Sequence, residues 1–450
     1  MKKSLFLILA TIASTSAFAG RGAILVVDNS TDTTLKVIPT NKSCIAHIDN
    51  AAISLKPVTA SNIYLEQDCL LKSGTSNLEL YDEKTNEKIG VTEFFIAKSS
   101  TEAGVKSSTS NRFSVRSLSV NTFSRVSGTD VIFVRVTPAG QSAEAYSNWM
   151  WQMRNQIRDK SLASLVLPGT HDSLTYDLSS SNLCVADPDA TAFAKAPRFG
   201  IAFAQAQYLT MQEQLERGIR YFDIRLCFQS GDSYPSHSLV SNHPFSYDLE
   251  QLQTFLNANP HEIIVLDLQH IYGYNVERIK ALLDNIKTKF AGKIISYQDY
   301  KPSSKLDDIW TLDDLSSEST PNLIVVAPDT KEVQDVIAQA DYNFIWPRAM
   351  LSSPWPNVQS VDKLIQKNSD YLANRSTDTF FVSQLILTPD TNYIISNPSY
   401  SLSSMAYRDL NSTYNWLWEN ANSGKLNIII RDWSNGYDGT IFAIDANRKK

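Results

Sequence analysis

The chain has 450 residues, 43% of them hydrophobic and 20% charged, an ordinary globular composition with enough length for a sizeable core. Its formal net charge of −6 argues against nucleic acid as a default partner, because phosphate backbones call for a basic surface. It also argues against strong electrostatic adsorption to anionic membranes.

The first residues read as a targeting segment. Lys2-Lys3 is a basic start and Leu5 to Ile12 is an apolar run too short to cross a bilayer. Ala17-Phe18-Ala19 fits an A-x-A cleavage site, so residues 1–19 are expected to be a signal peptide and the protein secreted or periplasmic. Cys44, Cys69, Cys184 and Cys227 all lie in the exported part. An even count in an oxidising compartment suggests disulfides, with three connectivities open. The pairs Cys44–Cys69 and Cys184–Cys227 are favoured because each stays within one domain. There is no CxxC or Cys/His ligand spacing for structural zinc.

Residues 20–140 are rich in Ser, Thr, Asn and Val. Ala23–Val27, Thr34–Ile38 and Asp130–Val136 read as strands, separated by polar turns such as Asp28-Asn29-Ser30-Thr31. Short, regularly spaced strands suggest a small β-sandwich. Its only histidine is His47 and nothing in it has catalytic spacing, so it is expected to be a structural or binding module.

Pro138-Ala139-Gly140 opens a linker over 141–147. From there to residue 450 strands alternate with helices. Strands are expected at Ser164–Leu167, Ile219–Leu226, Glu262–Leu268, Asn322–Ala327, Asn343–Trp346, Thr379–Leu387 and Leu426–Arg431. Helices are expected at Gln212–Glu216, Leu249–Asn257, Val276–Lys289, Lys331–Ala338, Val361–Leu372 and Ser404–Glu419. Several strands are continuous apolar runs, as when both faces are covered. The alternation predicts an α/β fold, a TIM-type (β/α) barrel that is distorted or incomplete if a strand is missing.

Polar residues collect where these strands end, the end at which such a barrel keeps its chemistry. His171 and Asp172 follow Leu167-Pro168-Gly169-Thr170. Asp223 and Arg225 lie in Gly218–Arg225, His237 in Ser236–Leu239, Asp267, Gln269 and His270 in Glu262–His270, and Asp432 and Trp433 follow Ile428–Arg431. Two histidines suit general acid–base work near neutral pH. An arginine offers a planar fork to phosphate oxygens, and a carboxylate beside a histidine fixes its tautomer. Together they suit displacement at a phosphodiester. Each also has a plainer reading: a strand-end histidine as a hydrogen-bonder, Asp223 and Arg225 as a barrel ion pair, Asp432 as a helix cap. His243, next to Pro244, rivals His237, while His261 falls at a strand start, the wrong end for a site. Trp346, Trp355 and Trp433 suit sugar stacking, a membrane-facing rim or core packing.

Leu167–Ser173 resembles the LPGTHDS motif of the phosphatidylinositol-specific phospholipase C X-domain family. Asp223-Ile224-Arg225 is similar to that family's D-[IL]-R strand, and His237-Ser238-Leu239 to its second-histidine segment, with Ser238 where glycine is usual. Leu266–Tyr272 and the stretch Trp346-Pro347 to Asn357 resemble the branch called X-domain-containing proteins. The resemblance covers roughly residues 148–440 and leaves out the N-terminal domain. It implies that His171 is a general base acting on the inositol 2-hydroxyl. It implies that His237, assisted by Asp172, is the acid for the diacylglycerol oxygen, that Arg225 stabilises phosphoryl charge and that Asp432 orients His171. Gln269, His270, Arg348 and Trp433 are weaker carry-overs as substrate contacts. The calcium-dependent branch has Asn after the first histidine and Glu-x-Asp in the second strand; Asp172 and Asp223-Ile224-Arg225 stand there in this chain, so no metal and no cofactor are expected.

The implied activity is an exported phospholipase C that cleaves phosphatidylinositol or a glycosyl-inositol lipid at a membrane surface, giving diacylglycerol and a cyclic inositol phosphate. Two readings compete: another barrel phosphodiesterase, of glycerophosphodiester or sphingomyelinase D type, and a non-catalytic inositol-lipid binding protein. Residues 148–450 lack the His-Arg-Gly opening and Glu-x-Asp of the first. Its intact set of histidine, aspartate and arginine argues against the second.

Overall fold

The computed structural model describes residues 22–29, 31, 33–46, 52–55, 59–67, 73–96, 101–108, 110–120, 130–139, 146–190, 200–310, 320–396, 401–408, 410–434 and 436–448. The expected signal peptide, His47, Cys69 and residues 141–145 of the linker lie outside them. The chain divides into two compact units, one ending at Gly140 and the other starting at Gln141.

The first unit is built from β1 (Gly22–Asn29), β2 (Leu35–Ser43), β3 (Ile45–Ala46), β4 (Ile53–Leu55), β5 (Thr59–Gln67), β6 (Gly74–Asp82), β7 (Lys88–Ile96), β8 (Thr101–Ser108), β9 (Phe113–Val120) and β10 (Asp130–Pro138). They form two five-stranded sheets, ordered β3-β5-β1-β10-β9 and β4-β2-β6-β7-β8. Alternate residues face inward, as period-two patterning requires. Leu25, Val27, Val134 and Val136 of the first sheet share one core with Leu35, Val37, Leu78, Leu80 and Phe94 of the second, so the unit is a sandwich. Cys44 is disulfide-bonded; its expected partner, Cys69, is outside the described residues.

The second unit is a nearly closed parallel barrel. Its strands are β11 (Leu167–Thr170), β13 (Tyr221–Gln229), β16 (Ile264–Tyr272), β17 (Leu323–Val326), β18 (Leu351–Ser352), β19 (Phe380–Gln384) and β20 (Ile428–Arg431). In the ring they run β18-β19-β20-β11-β13-β16-β17, and a parallel bridge from Val326 to Trp346 leads back toward β18. β12 (Leu178–Leu183), β14 (Asp232–His237) and β15 (Leu239–Ser241) extend the sheet from β13 as antiparallel strands.

Side-chain alternation on β13 explains both faces of the barrel wall. Phe222, Ile224 and Leu226 point outward into the core formed with the helices Phe245–Ala258 and Val276–Lys289. Tyr221 points inward, packed with Leu167, Val265, Ile324, Val382 and Ile430. Asp223 and Arg225 share that inward face. The interior thus changes from apolar at the strand starts to charged at their ends.

Several expected boundaries moved. The first barrel strand is Leu167–Thr170; of the expected Ser164–Leu167 only Leu167 belongs to it, and Ser164 closes a 3-10 turn over 162–164. Pro168 sits inside that strand without breaking it. Its carbonyl accepts from Arg220 N at 2.8 Å on the β13 side, and β13 begins only at Tyr221, so no strand bond needs the missing N–H. Asn343–Trp346 is not a strand: residues 340–342 form a 3-10 turn and Pro347 ends the pairing after Trp346. The expected helix Ser404–Glu419 is described as two, Leu402–Arg408 and Leu410–Asn420.

Candidate active site

At the C-terminal mouth of the barrel, β11, β13, β14 and β20 bring four motifs together. His171 follows β11 directly and its N–H donates to Arg431 O at 3.2 Å. Asp432 follows β20, and its Oδ1 lies 2.7 Å from His171 Nδ1. Close approach of β11 to its neighbours makes this possible. A Cβ on Gly169 would lie 2.8 Å from Tyr221 Cδ1 and 2.9 Å from Ile430 Cγ2, so only glycine fits.

Asp172 is the hub. It is 1% exposed and adopts φ +41, its N–H donating to Asp223 Oδ2 at 3.3 Å. Arg225 Nε lies 2.6 Å from Asp172 Oδ1. Asp172 Oδ2 lies 3.4 Å from His237 Nδ1 and 3.6 Å from His171 Nε2. Arg225 Nη2 lies 3.2 Å from His171 Nε2. The short contact to Asp432 assigns a proton to His171 Nδ1, so in the neutral ring Nε2 is the bare nitrogen, facing Arg225. His237 Nδ1 donates to Ala204 O at 2.8 Å, which places a proton on that nitrogen.

Electrostatics follow from this crowding. Burial opposes charge on His171, but Asp172, Asp432 and Asp223 outweigh it and raise its pKa to about 9. Burial likewise opposes the Asp172 carboxylate, yet Arg225 and the histidines hold it below the usual carboxylate range. Asp223 goes the other way: it is fully buried, with Asp172 and Asp267 close by, and its carboxyl is pushed up. One ligand atom each of His171, Asp172 and Asp223 lie within 4.8 Å of one another, the spacing of a cation site. The guanidinium of Arg225 already supplies a positive charge there.

The remaining expected residues are more dispersed. Arg348 is committed to Asp267, with Nη1 3.0 Å from Oδ2 and Nη2 in contact with Oδ1, and Tyr221 OH donates to Asp267 Oδ2 at 2.5 Å. Gln269 Oε1 is buried without a partner, whereas His270 is exposed and stacks on Tyr272. Trp433, for which sugar stacking, a membrane-facing rim and core packing are all open from sequence, is 3% exposed. Its backbone has φ +48, and its Nε1 donates to Gln205 O at 2.8 Å while the ring stacks on Tyr208. It forms part of the wall and offers no open face. Trp346 is buried too, donating to Ile295 O. Trp355, on the loop after β18, is 54% exposed.

His243 is not at this centre. It lies between Asp177 at 3.2 Å and Asp248 at 3.1 Å, with Tyr176 OH 3.0 Å away. His261 stacks on Trp151. The plainer reading of Asp223 and Arg225 as an ion pair is not met; Arg225 pairs with Asp172. At the barrel's other end Arg220 is wholly buried against Glu262, Nη2 to Oε2 at 2.6 Å. Gln207 was not singled out from sequence. It is fully buried, and its Nε2 donates to both His171 O at 2.9 Å and Arg431 O at 2.8 Å. It thereby clamps the two strand ends that carry His171 and Asp432. A lone glutamine in a loop has no periodic signal that marks such a role.

Comparison with known proteins bears out the family resemblance. The family model described as PI-PLC X matches residues 190–395. A mouse "PI-PLC X domain-containing protein 2" is 29% identical over 67% of this chain and 87% of its own length. The human protein of the same name is 32% identical over 54% of this chain and 78% of its own length. A zebrafish "PI-PLC X domain-containing protein 3" is 26% identical over 65% and 91%. The solved phosphatidylinositol-specific phospholipase C from Listeria monocytogenes aligns at 19% identity and a TM-score of 0.47 over 67% of this chain and 98% of its own. The chain belongs to the PI-PLC X domain family.

Proposed function

We propose that the barrel is a phosphatidylinositol phospholipase C that works by transfer of the phosphoryl group to the inositol 2-hydroxyl. The observation that carries this reading is the arrangement of two imidazoles around one buried carboxylate and one guanidinium. His171 and His237 lie 3.6 and 3.4 Å from the same Asp172 oxygen, and Arg225 touches both Asp172 and His171. His171 Nε2 takes the proton of the 2-hydroxyl while Asp432 holds the developing imidazolium through Nδ1. The freed oxygen attacks phosphorus. Arg225 stabilises the charge that builds on the phosphoryl oxygens. His237, protonated and steadied by Asp172, gives its Nε2 proton to the departing diacylglycerol oxygen. The products are diacylglycerol and a cyclic inositol phosphodiester.

We propose that the reaction needs no metal, because Arg225 occupies the charge position that a cation would take beside Asp172. Trp355, exposed on a mouth loop, suits peripheral contact with a membrane surface. Export to an oxidising compartment is proposed with it: the disulfide Cys184–Cys227 and the bonded Cys44 fit that setting. The test is phosphorus NMR of the protein with phosphatidylinositol in excess chelator, beside His171→Ala and His237→Ala. A cyclic phosphate signal from the unaltered protein alone is expected. No product on any inositol lipid, with binding retained, would favour the non-catalytic reading.

A further inference from the structure

The turn that presents His237 is held by residues outside those given a role in the proposed reaction. Only Ser238 separates β14 from β15, and His237 pairs with Leu239 across it. Ser238 has φ +57, in the left-handed region where any side chain carries a steric cost that glycine avoids. Each of its polar groups is engaged by one short segment. The N–H and the hydroxyl both donate to Asp187 Oδ2 at 3.0 Å. The carbonyl accepts from Cys184 N at 2.9 Å. That segment is folded on itself, with Asp187 N donating to Cys184 O at 3.0 Å and Asp189 N to Asp187 Oδ1 at 2.9 Å. Asp187 is only 4% exposed, so its bonds to Ser238 are shielded from competing water. The segment is tethered by the disulfide from Cys184 to Cys227, and Cys227 lies two residues beyond Arg225 on β13. The turn of His237 and the strand of Arg225 are therefore tied to one frame.

We infer that Asp187 is a positioning residue for His237: it holds Ser238 in the left-handed conformation that aims the imidazole, and the Cys184–Cys227 disulfide anchors the segment that carries it. This rests on the reading of His237 as the proton donor. An unsupported serine would relax toward negative φ and swing the preceding residue. A displacement of about 1 Å of a reacting group is enough to cost about a hundredfold in rate.

The test separates proton donation from general damage by changing the leaving group. Phosphatidylinositol has an alkoxide leaving group that must be protonated. The 4-nitrophenyl ester of inositol 1-phosphate has an aryl oxide that leaves without a proton. Asp187→Ala should lower kcat on phosphatidylinositol by about ten- to a hundredfold, with KM little changed and turnover of the aryl ester nearly intact. Asp187→Asn, which keeps an acceptor, should lose less. Ser238→Gly placed in the Asp187→Ala protein should regain activity, because glycine takes this φ unaided. Cys184→Ala with Cys227→Ala should repeat the selective loss. Equal losses on both substrates would overturn the inference. If the unaltered protein turns over neither substrate, the proposed function fails instead. The inference is then read from imidazole nitrogen NMR: the His237 signals should move in Asp187→Ala while those of His171 stay. Unmoved His237 signals would overturn it.

Discussion

Replacing Asp432 by asparagine is the sharpest test of the proposed base. Asp432 lies 2.7 Å from the His171 ring, against 3.6 Å for Asp172 and 3.8 Å for Asp223. Burial works against a charged ring, and the three carboxylates together raise His171 from 6.5 to about 9. At 1.36 kcal/mol per pKa unit that rise is on the order of 3 kcal/mol, net of the burial penalty. A short, buried, charge-assisted bond such as the one to Asp432 contributes about 1.5–3 kcal/mol of it. The amide oxygen introduced by Asp432→Asn would still accept from Nδ1–H but would leave the imidazolium without its nearest negative charge. The base must be neutral to take a proton, so kcat/KM rises with pH as His171 in the free protein loses its proton. In Asp432→Asn that rising limb should shift to lower pH, because the charged ring has lost support. On the plateau above it, kcat should fall about ten- to a hundredfold, because the ring charges in the transition state. The assay is the pH profile of kcat/KM and kcat for cyclic phosphate release. A limb that stays where it was, or an undiminished plateau, would refute the pairing of Asp432 with a catalytic His171.

Arg225→Lys keeps the charge but loses the fork that reaches Asp172 and His171 together; kcat should fall about a hundredfold with the melting temperature nearly unchanged, and an equal-activity lysine protein would remove Arg225 from the mechanism. Turnover should persist after exhaustive treatment with chelator; activity that disappears and returns with calcium would assign His171, Asp172 and Asp223 to a metal. Gly169→Ala places a methyl 2.8 Å from Tyr221 and 2.9 Å from Ile430. It should destabilise the barrel by about 1–3 kcal/mol, seen as a lower denaturant midpoint with unchanged slope, and an unaltered midpoint would mean that β11 can move aside.

What could be read from sequence depended on whether local chemistry marked the residue. The barrel was legible because its strands are short apolar runs between amphipathic helices. His171, Arg225 and Asp432 stood out as polar residues at the ends of those runs. Strand edges were less legible: in the apolar stretches Ser164–Leu167 and Asn343–Trp346, Ser164 closes a 3-10 turn and Trp346 alone makes a bridge. Residues that act through another chain segment left no trace. Gln207 bonds to carbonyls 36 and 224 positions away, and Asp187 bonds to a serine 51 positions away. Sequence left Trp433 open between sugar stacking, a membrane-facing rim and core packing. Its left-handed backbone accompanies a side chain turned inward, and no neighbouring residue type announces that conformation.

The departure at Ser238 and the charge balance at Asp172 bear on the same question of how the mouth stays organised before a ligand arrives. Asp172 and Asp432 bring two negative charges against Arg225 and the two histidines, while Asp223, its carboxyl pushed up, is readily neutral. A phosphodiester adds one more negative charge beside Arg225. It must then compete with Asp172, whose Oδ1 already lies 2.6 Å from the guanidinium. The Nη atoms of the fork can meet the phosphoryl oxygens while Nε keeps Asp172, so the ligand need not displace the carboxylate. Lysine, with a single nitrogen, would have to choose between them. On this argument Asp172 fixes the orientation of Arg225 as much as it assists His237. Asp172→Asn should therefore impair both substrates of the leaving-group test, where Asp187→Ala impairs only the alkyl one. Equal selectivity in the two variants would mean that Asp172 acts on His237 alone.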